Sequence, residues 1–326
     1  MYTPPFTIND EILSLVSEIS EQIGALNVML GNSMPSPMLR KENQIKTIHS
    51  SLAIEHNSLS LQQVTDIIEG KHVLGAPNEI QEVKNAVQAY QLMQQLDAFN
   101  EKDLLKAHRL MMQDLVAKSG QYRTEGVGVF DGDRCLHMAP PPQRVPELMR
   151  DLFAWLRTTD THPLITSCVF HYEFEFIHPF IDGNGRMGRY WQTMILARWK
   201  SIFAWLPVET IVKQNQQEYY NAIARSDAAG DSTVFILFML KCLQATIKHE
   251  VENKVDNKVE DKLLTDSEQR IVKLMTEDAH ITIAEICKKT KLSAAGVNKI
   301  LASLRNKGII KRIGANKNGY WDVHKK

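Results

Sequence analysis

The sequence predicts a mainly α-helical protein with one small β-hairpin and a winged helix-turn-helix unit at its C-terminal end. Most of residues 8–118 repeats apolar side chains at three- and four-residue spacing, which is typical of amphipathic helices. Residues 120–142 are rich in glycine and β-forming residues and end in three prolines, which predicts a hairpin with a loop. After residue 262, the order helix, helix, helix and two strands is that of a winged helix.

Each helix prediction follows from apolar spacing in a particular stretch. The clearest stretches before the hairpin are 78–96 and 101–116. After the hairpin, helical patterns cover 145–158, 163–180, 186–200, 214–227 and 232–251. The charged segment 249–262 repeats valine every four residues and predicts a solvated helical extension.

The C-terminal pattern predicts three helices and a wing. The helices cover 266–277, 284–291 and 294–308, with a β-like piece at 280–283 before the second helix. Two strands around the glycine-containing stretch 314–319 form the wing. The predicted domains are an N-terminal helical region (1–102), a central core (103–248), the charged helical linker (249–262) and the winged helix (263–326).

Composition and charge narrow the class of protein. The chain has 326 residues, 44% hydrophobic and 23% charged, as in ordinary globular proteins. No apolar run approaches about 18 residues and no secretory signal is visible, so we expect a cytoplasmic protein without a membrane partner. The four cysteines are widely spaced and are expected to be reduced.

Residues 263–326 hold 13 Lys and Arg against 6 Asp and Glu, whereas the remainder of the chain holds 25 Lys and Arg against 32 Asp and Glu. A basic C-terminal module on an acidic body indicates two separate functions.

The stretch HPFIDGNGRMGR, residues 178–189, concentrates chemistry in twelve residues. Its glycines allow a tight turn, and the helix that starts near Arg186 offers amide groups that bind phosphate. Arg186 and Arg189 lie three residues apart and can both contact phosphate oxygens. Asp182 would be repelled by phosphate unless a divalent cation such as Mg²⁺ bridges them. His178 is the nearby group suited to accept a proton. Together they indicate phosphoryl or nucleotidyl transfer from a Mg²⁺–nucleotide to a hydroxyl.

Ordinary structural explanations exist for each part. A lone histidine after an aromatic helix is usually a core residue, a lone DGNG is usually a turn, and arginines at this spacing usually form a solvated face. Their coincidence within twelve residues favours a functional site. The stretch is not a phosphate-binding P-loop, because the GxxxxGK[ST] pattern is absent.

These residues resemble the Fic motif, HxFx(D/E)GNGRxxR, at every fixed position, and the resemblance extends from about Arg40 to Leu243. It implies a Fic helical bundle with a hairpin flap, and most Fic proteins transfer AMP from ATP to a Ser, Thr or Tyr hydroxyl of a target protein. It also implies that His178 is the catalytic base, Phe180 anchors the loop and Asp182 holds Mg²⁺. The implied ATP contacts are Glu55, Gly183, Asn184, Gly185, Arg186, Met187, Gly188, Arg189 and Tyr220, with Arg189 on the γ-phosphate.

The stretch SSLAIEHN resembles the inhibitory motif of the same family, (S/T)xxxE(G/N). Ser51 and Glu55 fit at the required spacing, whereas His56 replaces the expected Gly or Asn and Asn57 follows. The resemblance implies that Glu55 pairs with Arg189, displaces the γ-phosphate and restrains the enzyme within one chain. A glutamate that merely ends a helix is the simpler alternative.

Two further stretches resemble parts of the Fic core. Residues 122–129 resemble a flap strand that pairs with the target, and Val127, Gly128 and Val129 are the expected target contacts. In the predicted helix 214–227, Tyr219 or Tyr220 could contact the nucleotide, and Tyr220 is the better match. A nucleotide contact by Asp227 is doubtful, because an asparagine is common there.

The C-terminal module predicts DNA binding, with protein contacts as the alternative. The expected recognition helix starts after Ser293, and its candidate contacts are Ser293, Asn298, Lys299 and Arg305. The candidate phosphate contacts in the wing are Lys311, Arg312 and Lys317.

The leading functional hypothesis is a cytoplasmic protein adenylyltransferase that uses ATP and Mg²⁺ and is restrained by Glu55. Its target protein is not identified by the sequence and could be the chain itself. The alternatives are a DNA-binding regulator whose Fic core senses nucleotide, a Fic-type phosphotransferase, and an enzyme that removes AMP. The sequence does not decide whether the chain forms a homodimer.

Overall fold

A computed structural model of the chain describes residues 2–30, 35–131, 134–313 and 319–323. The chain divides into two compact units, Met1–His249 and Glu250–Lys326. The first is a helical bundle with one two-stranded sheet, and the second combines helices with another two-stranded sheet. The predicted mainly α-helical fold is confirmed. None of the described helices is both long and apolar enough to cross a membrane.

The first helices begin at residues that cap them. The Asn9 side chain accepts a hydrogen bond from Ile12 N at the start of the first helix, and Ser60 forms a capping box with Gln63 at the third. The helices are α1 (Asp10–Met29), α2 (Pro37–Ile54), α3 (Leu61–Ile68), α4 (Pro77–Leu92) and α5 (Glu101–Met111).

The centre of the bundle is a pair of buried helices. The helices after the hairpin are α6 (Val145–Thr158), α7 (Pro163–Ile177), α8 (Asn184–Trp199), α9 (Val208–Gln214), α10 (Gln216–Ala229) and α11 (Thr233–Leu263). α7 and α8 pack against each other, and their aromatic side chains Phe170, Phe174 and Trp191 are fully buried. Because aromatic rings bury large apolar areas, this pair fixes the position of the turn that joins the two helices. α11 includes the charged segment 249–262, which is helical as predicted.

The hairpin forms where the glycine-rich stretch predicts it. β1 (Gly128–Asp131) pairs antiparallel with β2 (Arg134–Met138), and the register shifts between Val129 and Phe130. The prolines that follow lead through a short 3₁₀ turn, Pro142–Arg144, into α6. The hairpin is therefore attached at its base to the helical bundle.

The C-terminal unit has the predicted winged-helix order. Its elements are α12 (Asp266–Glu277), α13 (Ile283–Thr290), α14 (Ala294–Asn306), β3 (Ile310–Ile313) and β4 (Tyr320–Val323). Its core is lined by Ile271, Met275, Ile281, Ile286, Val297, Leu301, Leu304, Ile310 and Trp321.

The β-like piece predicted at residues 280–283 is wrong. Thr282 caps α13 instead, and it forms a capping box with Glu285. The preceding residues still contact the wing, because Trp321 N donates to Ala279 O at 2.7 Å and Trp321 Nε1 donates to Ile281 O at 3.2 Å. Residues 280–282 therefore form a packed connection that leads into α13 rather than a strand.

Glu209 is a buried carboxyl group in the bundle, and its charge makes stability depend on pH. Burial raises its pKa from the usual 4.5 to about 7. The buried protonated carboxyl group therefore contributes fully to folding stability below the pKa of Glu209 in the unfolded chain. This contribution is lost as pH rises through 7 and the group ionises in the folded protein. We expect Glu209→Gln to change the free energy of unfolding little at pH 5 and to raise it by up to about 3 kcal/mol at pH 8.

Urea denaturation of wild type and variant at both pH values measures this difference. Glu11→Gln is the control, because Glu11 forms an exposed ion pair with Lys241. The assignment is wrong if Glu209→Gln has the same effect at pH 5 and pH 8.

Candidate active site

The turn between α7 and α8 depends on left-handed backbone conformations. α7 ends at Ile177 and is capped by His178, whose φ is 49°, and Gly183 precedes α8 with φ of 83°. The left-handed φ favours glycine at 183, and a Cβ there would lie 2.6 Å from Met112 Sδ, so the Met112 side chain would have to move. The buried Asn184 side chain closes the turn: its Oδ1 accepts from Phe180 N and its Nδ2 donates to Phe180 O, both at 2.9 Å. The amide of Asn184 thus holds the loop in shape.

Two residues that sequence reasoning missed hold this turn from outside. His108 is fully buried and stacks on Phe180 with ring centroids 3.6 Å apart. Gly120 N donates to its Nδ1 at 2.8 Å, so Nε2 carries the proton and donates to Asp182 O at 3.0 Å. Burial lowers the pKa of His108 to about 4, which keeps this neutral tautomer. No sequence signal separates His108 from an ordinary helix residue.

Arg123 is the second such residue. Its Nε donates to His178 O at 2.7 Å and its Nη2 to Ile177 O at 3.3 Å, while its backbone N–H donates to Pro179 O at 2.9 Å. Nη2 also donates to Pro140 O at 2.6 Å, at the exit of the hairpin. Arg123 therefore ties the hairpin base to the carbonyl groups around His178.

The His178 imidazole opens into a cleft. Its Nδ1 lies 3.2 Å from Glu175 O, and because a carbonyl only accepts, Nδ1 must carry the proton. Nε2 is then the ring nitrogen with a free lone pair. The side chain is 21% exposed, so a ligand in the cleft can reach it.

The cleft has a volume of about 550 Å³ and collects most of the predicted site. Its lining residues are Glu55, His56, Gly128, Glu175, His178, Ile181, Asp182, Gly183, Asn184, Gly185, Arg189, Gln217, Tyr219, Tyr220, Ile223, Ala224 and Asp227. The structure does not bring the predicted contacts Arg186, Met187 and Gly188 to this lining. Met187 is fully buried in the core, and a Cβ on Gly188 would lie 2.7 Å from Glu175 Oε1.

Arg189 forms the floor of the cleft and pairs with the end of α2. Its Nη2 donates to Glu55 Oε1 at 2.8 Å and to Ser51 O at 3.0 Å, and its Nε donates to Ser51 Oγ at 3.2 Å. A Cβ on Gly185 would collide with Glu55 Oε1, so only glycine admits this carboxylate. The predicted pairing of Glu55 with Arg189 is present in the geometry, and Ser51 of the same motif also contacts this guanidinium.

His56 explains why the motif favours Gly or Asn at this position. Its φ is 69°, a left-handed conformation that few residues with a β-carbon adopt, Asn, Asp and His most often among them. The histidine therefore keeps the backbone conformation of this position, and Glu55 reaches Arg189.

Arg186 does not line the cleft and forms two ion pairs. Its Nη1 lies 3.2 Å from Glu82 Oε1 and its Nη2 lies 3.3 Å from Asp182 Oδ1. The other oxygen of Glu82 accepts from Asn57 Nδ2 at 2.7 Å. Glu82 thus links the residue after the inhibitory motif to the helix that follows the glycine turn, a connection that sequence reasoning missed.

The carboxylate of Asp182 fits a magnesium ion that is shared with phosphates. Its side chain is 59% exposed on the cleft, and Oδ1 accepts from Gly183 N and Arg186. Among the described residues, no cluster of three or more His, Cys, Asp or Glu could hold a metal. Since Mg²⁺ often uses one or two carboxylates with phosphate and water ligands, a single carboxylate here matches nucleotide-bound Mg²⁺.

The two tyrosines of α10 point in different directions. Tyr219 is 2% exposed, and its hydroxyl lies 3.1 Å from His171 Nε2. Tyr220 is 37% exposed and its hydroxyl donates to Ile54 O at 3.2 Å, at the end of α2. Asp227 accepts from Tyr172 at 2.8 Å.

In the C-terminal unit, α14 presents part of the predicted recognition surface. Asn298 and Lys299 are exposed, as is Lys311 in β3. Ser293 instead caps α14 by accepting from Gly296 N at 3.1 Å. Lys317 lies outside the described residues, and the guanidinium groups of Arg305 and Arg312 lie 5.2 and 4.8 Å from the Trp321 ring centroid.

Comparison with known structures decides the family. The crystal structure of a Fic family protein from Desulfovibrio desulfuricans G20 is 43% identical in sequence and matches with a TM-score of 0.77, covering 100% of this chain and 99% of that chain. The chain belongs to the Fic family. A Fic/DOC family profile matches residues 98–196 of this Fic protein, and a winged helix-turn-helix DNA-binding profile matches residues 264–311. The family and fold predicted from the motif are confirmed.

More distant relatives share part of the chain. Protein adenylyltransferase Fic from Nematostella vectensis is 29% identical over 245 residues, which cover 72% of this chain and 55% of the relative. The protein of the same name from Aedes aegypti is 28% identical over 240 residues, which cover 70% and 46%. This Fic protein therefore spans about half the length of these curated relatives. Fic-1 from C. elegans, at 22% identity and a TM-score of 0.61, shows the shared fold alone.

Asn57 offers a test of how the end of α2 is held. Its Nδ2 donates to Glu82 Oε2 at 2.7 Å and to Glu79 O at 3.2 Å, and its Oδ1 accepts from Leu59 N at 3.1 Å. We expect Asn57→Ala to loosen the segment that carries Glu55, and to speed proteolytic cleavage within residues 55–60 roughly 5- to 10-fold, as for the loss of one or two net hydrogen bonds.

Limited proteolysis with mass mapping of the cuts measures this rate. Asn221→Ala is the control, because the hydrogen bonds of the Asn221 side chain to described residues lie within α10. Equal cleavage within residues 55–60 in wild type and Asn57→Ala would show that Asn57 does not hold the segment.

Proposed function

We propose that this Fic protein is a protein adenylyltransferase that moves AMP from ATP to a hydroxyl group of a target protein. The observation that carries the proposal is the position of the His178 imidazole, whose free Nε2 shares one cleft with the glycine turn, the α8 N-terminus and Arg189. The relatives named protein adenylyltransferase Fic support the same activity.

The reaction needs one proton acceptor and an in-line displacement. Nε2 of His178 takes the proton of the target hydroxyl, and the hydroxyl oxygen forms a bond to the α-phosphorus. The bond between the α-phosphorus and the oxygen bridging to the β-phosphate breaks, and pyrophosphate leaves with the electron pair. The proton on Nε2 then passes to solvent, which restores the base.

Backbone amides and side chains of the cleft can hold the triphosphate. The first backbone amides of α8, at Gly185 and its neighbours, carry the partial positive charge of a helix N-terminus. Arg189 adds a buried guanidinium that can bind the terminal phosphate. Asp182 would hold Mg²⁺, which neutralises phosphate charge when bound. Arg186 fixes the Asp182 carboxylate from the other side.

The flap supplies a backbone edge for the target. Gly128 lines the cleft, and β1 pairs with β2 along one edge in the described two-stranded sheet. An extended target segment that adds to the free edge of β1 would place its hydroxyl near His178. In this arrangement, Val127, Gly128 and Val129 contact the target through their main chain.

Glu55 restrains the reaction by occupying Arg189. The 2.8 Å ion pair uses the guanidinium group that the terminal phosphate needs, and phosphate and carboxylate compete for the same donor. ATP bound beside an intact pair would lack this contact, and its α-phosphorus would not be held in line with the hydroxyl.

We expect Glu55→Gly to raise incorporation of label from α-³²P-ATP into the protein itself and into lysate proteins. The gain is roughly 10- to 100-fold, because a charge-assisted hydrogen bond worth about 1.5–3 kcal/mol no longer has to be broken. His178→Ala in the same background should abolish labelling, since the base is lost.

Glu69→Gly is the matched control, because Glu69 also ends a helix but pairs with Lys41 and Lys71. Equal labelling of wild type and Glu55→Gly would rule out the restraint. Mass spectrometry of the product separates AMP transfer from phosphate transfer, and incubation of purified product with wild type tests whether the enzyme also removes AMP.

We also propose that the C-terminal unit binds duplex DNA. Its net positive charge, the exposed Asn298 and Lys299 on α14 and the exposed Lys311 in the wing support this proposal. In this arrangement, α14 enters the major groove and the wing contacts the phosphate backbone.

We expect the full chain to retard duplex DNA at low salt, and Lys299→Ala with Lys311→Ala to weaken binding and to lower the salt dependence by about two units of log–log slope. Lys118→Ala, an exposed lysine of the first unit, is the control. A chain that does not retard DNA even at low salt would favour protein contacts instead.

A further inference from the structure

A buried carboxylate lies directly beneath the His178 imidazole. Glu175 sits one turn earlier on α7, and its Oε2 lies 3.9 Å from His178 Nδ1. Only 9% of the Glu175 side chain is exposed, at the back of the cleft. His178 Nδ1 also donates to the Glu175 backbone oxygen at 3.2 Å. Both the carbonyl and the carboxylate of Glu175 therefore face this nitrogen.

The surroundings of Glu175 leave it in need of a positive charge. His171 donates from Nδ1 to Gln192 Oε1 at 2.7 Å, and its Nε2 lies 3.1 Å from the Tyr219 hydroxyl. The same Nε2 is 3.7 Å from Glu175 Oε1, too far for a hydrogen bond. Oε1 is buried without a hydrogen-bond partner among the described residues. Such a carboxylate is costly unless a cation forms beside it.

The sequence of α8 makes room for this carboxylate. A Cβ on Gly188 would lie 2.7 Å from both Glu175 Oε1 and His171 Cδ2. Glycine at position 188 therefore lets α8 approach the Glu175 carboxylate and the His171 imidazole closely. This contact gives Gly188 a place in the site, although it does not line the cleft.

We infer that Glu175 is a positioning residue for His178: its carboxylate fixes the ring with Nε2 facing the cleft and stabilises the imidazolium that forms when Nε2 accepts a proton. The inference rests on the proposed function, because the proton comes from the target hydroxyl in that reaction. It assigns Glu175 to the chemistry through His178, without contact to substrate.

The charge state of Glu175 is consistent with this role. Burial acts to raise its pKa, but the nearby His171 side chain and the charges of His178 and Arg189 outweigh burial, so the pKa is lowered. The Glu175 carboxyl group is therefore ionised at neutral pH. The other charged or titratable side chains lining the cleft are Glu55, His56, Asp182, Arg189, Tyr219, Tyr220 and Asp227.

The test compares Glu175→Gln with its parent Glu55→Gly, in which Arg189 is released. We expect the rate of self-labelling at high pH to fall about 10-fold, because the base is weaker and less well oriented. The acid limb of the pH–rate profile should move about one pH unit lower, since imidazolium loses its counter-charge. The KM for ATP should stay the same.

Glu173→Gln is the matched control, because Glu173 is also buried on α7 but accepts from the Tyr2 hydroxyl at 2.6 Å and does not line the cleft. Glu175→Asp keeps the charge and should keep the acid limb in place while lowering the rate. A Glu175→Gln variant with an unchanged acid limb would overturn the inference, even if its rate or melting temperature fell.

An NMR titration separates this inference from the proposed function. In ¹⁵N-histidine-labelled protein, the His178 signal is identified by its loss in His178→Ala. We expect it to titrate about one pH unit lower in Glu175→Gln than in the parent. This shift, without AMP transfer by any variant, would support the positioning role and reject the transferase. An unchanged His178 titration would overturn the positioning role, whatever the activity.

Discussion

The ion pair between Glu55 and Arg189 is the interaction on which the arrangement of the cleft depends. Arg189 is 2% exposed, and a guanidinium at this depth needs an anion beside it. The end of α2 supplies that anion together with both oxygens of Ser51. Since a triphosphate would provide the same charge, we propose that Glu55 and the nucleotide are alternative partners of Arg189. Under this proposal, restraint and catalysis both use the same buried cation.

The backbone around this pair is shaped at three left-handed positions, His56, His178 and Gly183. Each turns the chain so that a functional group faces the cleft: the Glu55 carboxylate, the imidazole and the α8 amides. Two of the three are not glycine, so contacts elsewhere must maintain them. Arg123 does so for His178 by binding the carbonyl groups on both sides of the helix end. The chemistry of the site thus depends on residues that never face it.

The sequence predicted the parts of the site that are close together along the chain. Within residues 178–189, spacing and residue type indicated the base, the turn and the phosphate-binding helix, and the structure gathers most of them. The sequence could not predict the roles of His108, Arg123 or Glu82. Each contacts a backbone oxygen or a charged group that is 50 or more residues away along the chain.

Local patterns also misjudged the start of α13 and missed some contacts. The β-like residues 280–283 suggested a strand, but Thr282 and Glu285 form a capping box that begins a helix. Arg186 is expected on phosphate from its spacing with Arg189, and spacing did not predict the ion pairs that it forms with Glu82 and Asp182. Glu175 carries no motif of its own, and its relation to His178 emerges only from the helical turn that separates them. Charge pairing of this kind is decided by tertiary packing, which spacing alone does not encode.

A crystal structure of the wild-type chain with Mg²⁺ and a non-hydrolysable ATP analogue tests the central claim most directly. The account predicts that Glu55 Oε1 stays within hydrogen-bond distance of Arg189 Nη2, near the present 2.8 Å, and that the γ-phosphate makes no contact with Arg189. A γ-phosphate bound to Arg189 while Glu55 keeps its ion pair, with the α-phosphorus open to attack from the His178 side, would contradict it.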